Sequence, residues 1–321
     1  MLNIFLQSLI VGGGLFWLGR KVVDDKFKRW GGIVLIVVFW AIVFFHRELE
    51  ITKQLQGILV GSVGILFFGI LDDWKKFSWW VQIIFQIGLV VLLVRFGFEI
   101  NYFAGIGGDE IRIDQFIWQG ISVGSAMFIF FWVVGIMNAV NWVDGVDSSM
   151  GAVALVGGMS LIFVSFLPEV NQPAIAILAS VFLGVIMSFL FFNFPPAKVE
   201  AGTSGSYFVG FILATLAIIA GSKIVTLMIV LILPLIDFIL VVIERWRGRR
   251  SIFKRDNSHL HYQLRKIGWS DWKIFLSYFI FLSGILVLYS LLDNRMERVL
   301  LLLVEGVFIA VAILKIRRHS H

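Results

Sequence analysis

The sequence predicts an all-α, polytopic membrane protein of about eleven transmembrane helices, with its N-terminus outside and its C-terminus cytoplasmic. Three observations carry that prediction. Hydrophobic residues make up 59% of the 321 residues and charged residues only 15%, against about 25% charged in a soluble domain. Mean hydropathy is +0.94, and the apolar residues gather in runs long enough to cross about 30 Å of hydrocarbon. The Lys and Arg residues divide unevenly between alternate loops. A soluble enzyme and a disordered chain are excluded. The chain has no Cys, so disulfides, thiolate nucleophiles and Cys-based zinc sites are excluded too.

The eleven runs are 2–18, 31–46, 56–72, 79–98, 119–138, 150–167, 173–193, 206–221, 223–243, 274–293 and 299–316. Within a bilayer the backbone must satisfy its own hydrogen bonds, so each is read as a helix. The first is read as a span and not a cleaved signal, because no Lys or Arg precedes it and no small-residue cleavage site stands out. Arg20, Lys21, Lys26, Lys28 and Arg29 follow it instead. Twenty of the 27 Lys and Arg lie after runs 1, 3, 5, 7 and 9 or at the C-terminal end. Basic residues stay cytoplasmic, which fixes the orientation. The sequence pI near 9.6 then records topology, and no nucleic-acid partner is expected. Trp30, Trp79, Trp80, Trp269 and Trp272 sit near run ends, where an interfacial aromatic belt accounts for them. Residues 1–321 read as a single integral membrane domain whose one sizeable hydrophilic insertion is the basic cytoplasmic loop 244–273.

Polar residues collect on the predicted cytoplasmic border. Asp72-Asp73 ends run 3, where the negative end of the helix dipole disfavours carboxylates; either a bound cation or Lys75 and Lys76 would relieve that cost. After run 5 comes Asn138-Ala-Val-Asn141-Trp-Val-Asp144-Gly145-Val-Asp147. If the helix continues, 138, 141 and 144, and loosely 147, form one ladder of amides and carboxylates. No Lys or Arg occurs from 138 to 149, so an acid-only loop on the basic side calls for an external cation or ligand, unless it is a capped, hydrated turn. Asn193 and Lys198 follow run 7, ahead of Ala201-Gly202-Thr203-Ser204-Gly205-Ser206. The dipole and small residues there suit an anion cradle, with an ordinary Ser/Thr cap as the plainer reading. The 244–273 loop adds Arg245, Arg255, Asp256, His259 and His261. Lipid headgroups explain a basic segment, but Arg and His beside carboxylates also suit a phosphate-bearing substrate. Taken together, these parts describe phosphoryl transfer between a soluble, metal-carrying anion and a membrane-embedded acceptor.

At this point the residues resemble a known family. Leu71-Asp72-Asp73 with Ser78 and Gln86, the Asn-x-x-Asn-x-x-Asp-Gly-x-Asp stretch 138–147, Asn193-Phe-Pro-Pro-Ala-Lys198 and Asp256-Asn-Ser-His259-Leu-His261 occur in order. They are similar to the motifs of the polyprenyl-phosphate N-acetylhexosamine-1-phosphate transferases. This is glycosyltransferase family 4, here its WecA/TagO-like branch, related to the phospho-MurNAc-pentapeptide translocase. The resemblance runs from about Gly31-Gly32 to Gly268.

The resemblance implies an enzyme that transfers a sugar-1-phosphate from a UDP-amino sugar to a polyprenyl (undecaprenyl) phosphate. The products would be polyprenyl-diphosphate sugar and UMP, starting a cell-wall or surface glycan. It implies a multi-pass protein of the plasma (inner) membrane with a cytoplasmic active site. The implied cofactor is Mg²⁺ (or Mn²⁺). The partners are the two substrates, the lipid bilayer and, as an assembly the sequence leaves open, a second copy in a homodimer. Asp72, Asp73, Asp144 and Asp147 are the implied catalytic residues, with Asp73 and Asp147 at the metal. Asn138, Asn141, Asn193, Lys198, Gly202, Thr203, Gly205, Ser206, Arg255, His259 and His261 are the implied substrate-binding residues. One departure stands out: Thr203 occupies the place of the family's metal-binding Asp, and Glu200 that of an aromatic residue. The alternative function is therefore a non-catalytic relative that binds lipid phosphate or nucleotide-sugar. A transporter would instead place polar residues in broken helices near mid-bilayer.

Overall fold

The computed structural model describes residues 1–24, 27–104, 110–168, 170–221, 227–228, 231–249, 251, 258–292 and 294–319. Twelve helices account for most of them. In chain order they are α1 (Leu2–Val22), α2 (Gly31–Phe45), α3 (Lys53–Lys75), α4 (Trp79–Arg95), α5 (Val123–Val143), α6 (Ser149–Ser165), α7 (Pro173–Asn193), α8 (Gly202–Ile219), α9 (Ile232–Arg247), α10 (Leu260–Lys266), α11 (Asp271–Ser290) and α12 (Arg295–His319). Seven, namely α1, α3, α5, α7, α8, α11 and α12, are long and apolar enough to cross a membrane. Three more, α2, α4 and α6, are apolar but shorter. The chain is a multi-pass, helical membrane protein.

The helices meet the predicted runs with instructive shifts. The run at 119–138 gives up its first residues to two short antiparallel ladders, β1 (Tyr102–Ala104) with β2 (Glu110–Arg112) and β3 (Ile117–Trp118) with β4 (Ile121–Ser122). Gln119 and Gly120, both at positive φ, make the two-residue turn that suits a right-twisted hairpin. At its other end this helix runs five residues further, to Val143. Of the run predicted at 223–243, the described residues show α9, which begins at Ile232, extends to Arg247 and is not among the helices long and apolar enough to cross a membrane. The insertion 244–273 is not all loop: it holds the end of α9, the short helix α10 and the start of α11.

At the centre stands α8, almost wholly buried, packed on α2, α3, α5 and α6. Its first turn enters between α2 and α3 because small residues make room. A side-chain carbon on Gly32 would overlap the backbone of Gly205, and one on Gly69 would overlap the backbone of Ser204. Backbones this close gain dispersion along their whole length, the usual basis of helix association in lipid. Around α8, α7 is buried along most of its length, whereas α1 and α12 expose most of theirs. The C-terminal ends of α3, α5 and α7 and the N-terminal ends of α2 and α8 meet at one end of the bundle, and the polar motifs sit there.

Candidate active site

The aspartate pair lies in the last turn of α3, and the N-terminus of α8 is brought against it. Asp73 Oδ2 accepts the Thr203 backbone N–H at 2.9 Å. The Thr203 hydroxyl lies 2.8 Å from Asp72 Oδ2 and 3.1 Å from Asp73 Oδ1. Asp72 Oδ1 also accepts from the Phe77 N–H at 3.1 Å and from Gln82 at 2.9 Å. The partner of Asp73 is Arg29, at 3.4 Å, which also reaches Glu200 at 3.3 Å. Lys75 and Lys76 are exposed and take no part in that pairing. The carboxylates disfavoured by the dipole of their own helix are thus met by the positive end of another. Gly202 makes the approach feasible: its φ is +67°, and a side chain there would strike Asp73.

The ladder after α5 forms as the spacing required, because the helix continues through 143 and Asp144 follows as its C-cap. Its members have different tasks. Asn138 pairs with Gln86 of α4 (2.9 and 3.3 Å) and with the Val134 carbonyl. Asn141 donates to Ser206 at 2.7 Å, and Ser206 donates on to the Gly202 carbonyl at 3.0 Å. Burial pushes the Asp144 carboxyl well above the usual carboxylate range. The charge of Glu200 adds to this, Arg29 opposes it, and Asp73 and Asp147 add again. Asp147 Oδ2 accepts the Ala197 N–H at 2.8 Å.

Asn193, at the end of α7, uses its amide to join two loops. Its Oδ1 accepts the Ser148 N–H at 2.9 Å and its Nδ2 donates to the Val199 carbonyl at 2.8 Å. Across from them, His259 leads into α10. Its Nδ1 lies 2.9 Å from Asp237 Oδ2, and its ring packs on Trp142 at 4.6 Å. Arg245 lies over the other part of that cluster, 5.4 Å from the Trp142 ring. His261 is fully buried with neither ring nitrogen bonded, and burial lowers its pKa to about 3. Its place beside Gly145 is tight: any side chain at 145 would overlap Tyr262 and His261.

These elements enclose a cavity of about 420 Å³. Of the residues expected at the site, Asp73, Asn141, Asp144, Asp147, Asn193, Gly202, Thr203 and His259 line it. Six do not. Asp72 is sealed behind Thr203, and Asn138 is turned onto α4. Lys198 is exposed outside the wall, Gly205 is pressed on Gly32, Ser206 anchors Asn141, and His261 lies beneath Gly145. Arg255 lies outside the described residues. At the start of α8, where an anion cradle is expected, the Thr203 N–H is taken by an internal anion, Asp73. Sequence reasoning missed Arg29, Trp142, Tyr262 and Arg265 in the wall, and Asp237 behind His259. Arg29 was legible only as topology. Asp237, an acid inside an apolar run, was the available signal for a buried polar partner.

Chemically the cavity joins two halves. One is rich in carboxylates, from Asp73, Asp144, Asp147 and Glu200, with Arg29 set among them; the other is supplied by Arg245, Arg265 and His259. Among the described residues no three Asp, Glu or His side chains converge as a ready-made metal cage. The donor set nevertheless suits a hard divalent ion, because Mg²⁺ is usually bound by one or two carboxylates together with substrate phosphates. Asp144, half-buried beside Glu200, Asp73 and Asp147, is the group such an ion would relieve.

A model of glycosyl transferase family 4 matches residues 55–221. A Bacillus subtilis protein described as a probable undecaprenyl-phosphate N-acetylglucosaminyl 1-phosphate transferase is 30% identical over 283 residues, covering 84% of this chain and 76% of its own. A phospho-N-acetylmuramoyl-pentapeptide-transferase of Lactobacillus gasseri is 26% identical over 308 residues, 87% of this chain and 92% of its own. One from Bacillus subtilis is 28% identical over 292 residues, 85% and 86% respectively. The family match takes in α3 through α8, the helices that build the acidic half of the cavity, and on that match the chain belongs to glycosyl transferase family 4.

Proposed function

We propose that this protein transfers the sugar-1-phosphate of a UDP-N-acetylhexosamine to a polyprenyl phosphate at the cytoplasmic face of the plasma membrane, initiating a cell-wall or surface glycan. The observation that carries the reading is the shared cavity lined by Asp73, Asp144 and Asp147 of the α3 and α5 ends together with Arg245, Arg265 and His259. Acids and cations gathered in one cavity suit a nucleotide diphosphate that arrives with its counter-ion. In the reaction an oxygen of the lipid phosphate bonds to the β-phosphorus of the donor. The bond from that phosphorus to the bridging oxygen breaks, and UMP departs with the electron pair.

Mg²⁺ or Mn²⁺, held by Asp73 and Asp147, would supply neutralisation of the diphosphate charge. Asp144 and Asn141 orient the donor from the carboxylate-lined wall, Arg245 and Arg265 hold its phosphates, and His259 accepts from one of its hydroxyls. Asp72 acts indirectly, by fixing Thr203 against Asp73. The cytoplasmic assignment rests on the loop charges: Arg29, Lys198, Arg245 and Arg265 all belong to the loops that gather Lys and Arg.

The test is direct. Membranes containing the protein are given undecaprenyl phosphate and UDP-GlcNAc radiolabelled at the β-phosphate, and the expected result is labelled product in the organic phase. Label that stays aqueous over a panel of UDP-sugars overturns the reading. That outcome would favour a binding relative without turnover, which has one observation on its side: Thr203, where a carboxylate is expected, donates its hydroxyl to Asp72 and its backbone N–H to Asp73.

A further inference from the structure

We infer that Asp237, backed by Arg317 of the C-terminal helix, is a positioning residue that holds His259 with its proton on Nδ1 and presents Nε2 to the cavity. The inference rests on the transferase reading for its consequence, though not for its geometry.

Asp237 lies in the apolar first half of α9 and is buried. A carboxyl there is costly unless it is well paired. Three donors meet it. His259 Nδ1 is 2.9 Å from Oδ2; the Leu260 N–H and Arg317 Nη2 both reach Oδ1 at 3.0 Å. An amide and a guanidinium can only donate. With both on one oxygen, and one of them a cation, the carboxylate is kept in its accepting form, and the proton of the Asp237–His259 bond belongs to the imidazole. In a neutral His with Nδ1–H, Nε2 is the lone-pair nitrogen. His259 lines the cavity, so Nε2 is the acceptor it can offer to a sugar hydroxyl.

The ring is fixed in its other directions as well. Trp142 packs against it at 4.6 Å, and His261 stacks nearly parallel at 5.9 Å. Arg317 also pairs with Glu244 at 2.7 Å, two turns along α9 from Asp237 on the same face. The last helix is thereby tied to the orientation of a cavity residue. A pure structural clamp between α9 and α12 would need the Arg317 bonds but not the one to His259.

The deciding experiment is a double-mutant cycle on the full-length protein in membranes, paired with NMR of the detergent-solubilised protein carrying isotope-labelled imidazole nitrogens. Asp237→Asn is expected to lower kcat by about 10- to 100-fold, the scale of losing an orienting partner of a functional His, while KM for the UDP-sugar moves less than about twofold. In a His259→Ala background the same change should cost less than about twofold, because the two residues act as a unit. Equal losses in both backgrounds make Asp237 structural only and overturn the inference. The NMR arm stands whether or not product is made. The resonance lost in His259→Ala should show a protonated Nδ1 in the wild type and shift in Asp237→Asn; a wild-type Nε2–H tautomer overturns the inference by itself. Should Asp237→Asn fail to insert, Arg317→Gln replaces it in the cycle, with a smaller loss expected that again vanishes without His259.

Discussion

Asp73 holds Thr203 by its backbone: Oδ2 accepts the threonine N–H at 2.9 Å, while Oδ1 lies 3.1 Å from the threonine hydroxyl. That hydroxyl has one proton, and the shorter contact, 2.8 Å to Asp72 Oδ2, takes it. The end of α3 and the beginning of α8 are therefore locked by a residue that carries no charge. The chemistry of position 203 is central to how much cation the site requires.

Replacing Thr203 with Val keeps the shape and the backbone bond but removes the hydroxyl that donates to the buried Asp72 Oδ2. Thermal unfolding in detergent should show a loss of about 1–3 kcal/mol. Thr203→Asp places a third carboxylate against two others, so its melting temperature should fall in EDTA and recover in millimolar Mg²⁺. Its apparent Mg²⁺ affinity in the product assay should also be tighter than the wild type's. Superimposable Mg²⁺ titrations would put position 203 outside the metal shell.

Asp144 provides a pH test. Its carboxyl is raised above the ordinary range chiefly by burial, then by Glu200, so the folded state prefers it protonated. A raised folded pKa contributes stability that is fully present below the unfolded value of about 4 and lost as pH rises through the folded one. Without divalent ions, Asp144→Asn should therefore be more stable than wild type at neutral pH, with the difference closing toward pH 4, and should turn over no substrate. A stability gap that is flat across this range would contradict the assignment.

His261 behaves in the opposite sense. Burial lowers its pKa to about 3, against about 6.5 in an unfolded chain. Its contribution is whole above pH 6.5 and lost as pH falls toward 3, with a limiting slope of about 1.4 kcal/mol per pH unit. Comparing the acid limbs of wild type and His261→Phe by intrinsic fluorescence should show the wild type falling more steeply. Parallel limbs would mean that His261 is hydrated and not sealed beneath Gly145.

Much of this protein is set by local chemistry. Apolar runs must become helices in lipid, whatever they pack against, and so 173–193 gives α7 with those same bounds. The ladder 138–141–144 follows from helical repeat alone once α5 continues to Val143. Boundaries were harder where two local rules compete: Gln119-Gly120 sits in an apolar run, yet both residues adopt the positive φ of a hairpin turn.

What a spacing cannot reveal is which polar residue has its partner inside the protein. Asn138, Ser206 and Asp72 share motifs with residues that face the cavity, but Gln86, Asn141 and Thr203, distant in sequence, have taken up their hydrogen bonds. The reverse holds for Arg29, a topogenic charge by sequence that becomes the partner of Asp73 only when the start of α2 is packed against the end of α3. The one-dimensional chain determined the membrane helices and the list of chemically able side chains, because burial in lipid and helical repeat act over a few residues. The packed bundle alone decided which of those side chains line the cavity and which hold its walls, because a side chain turned onto a remote helix, as Asn138 is onto Gln86, is spent on packing and not on a ligand.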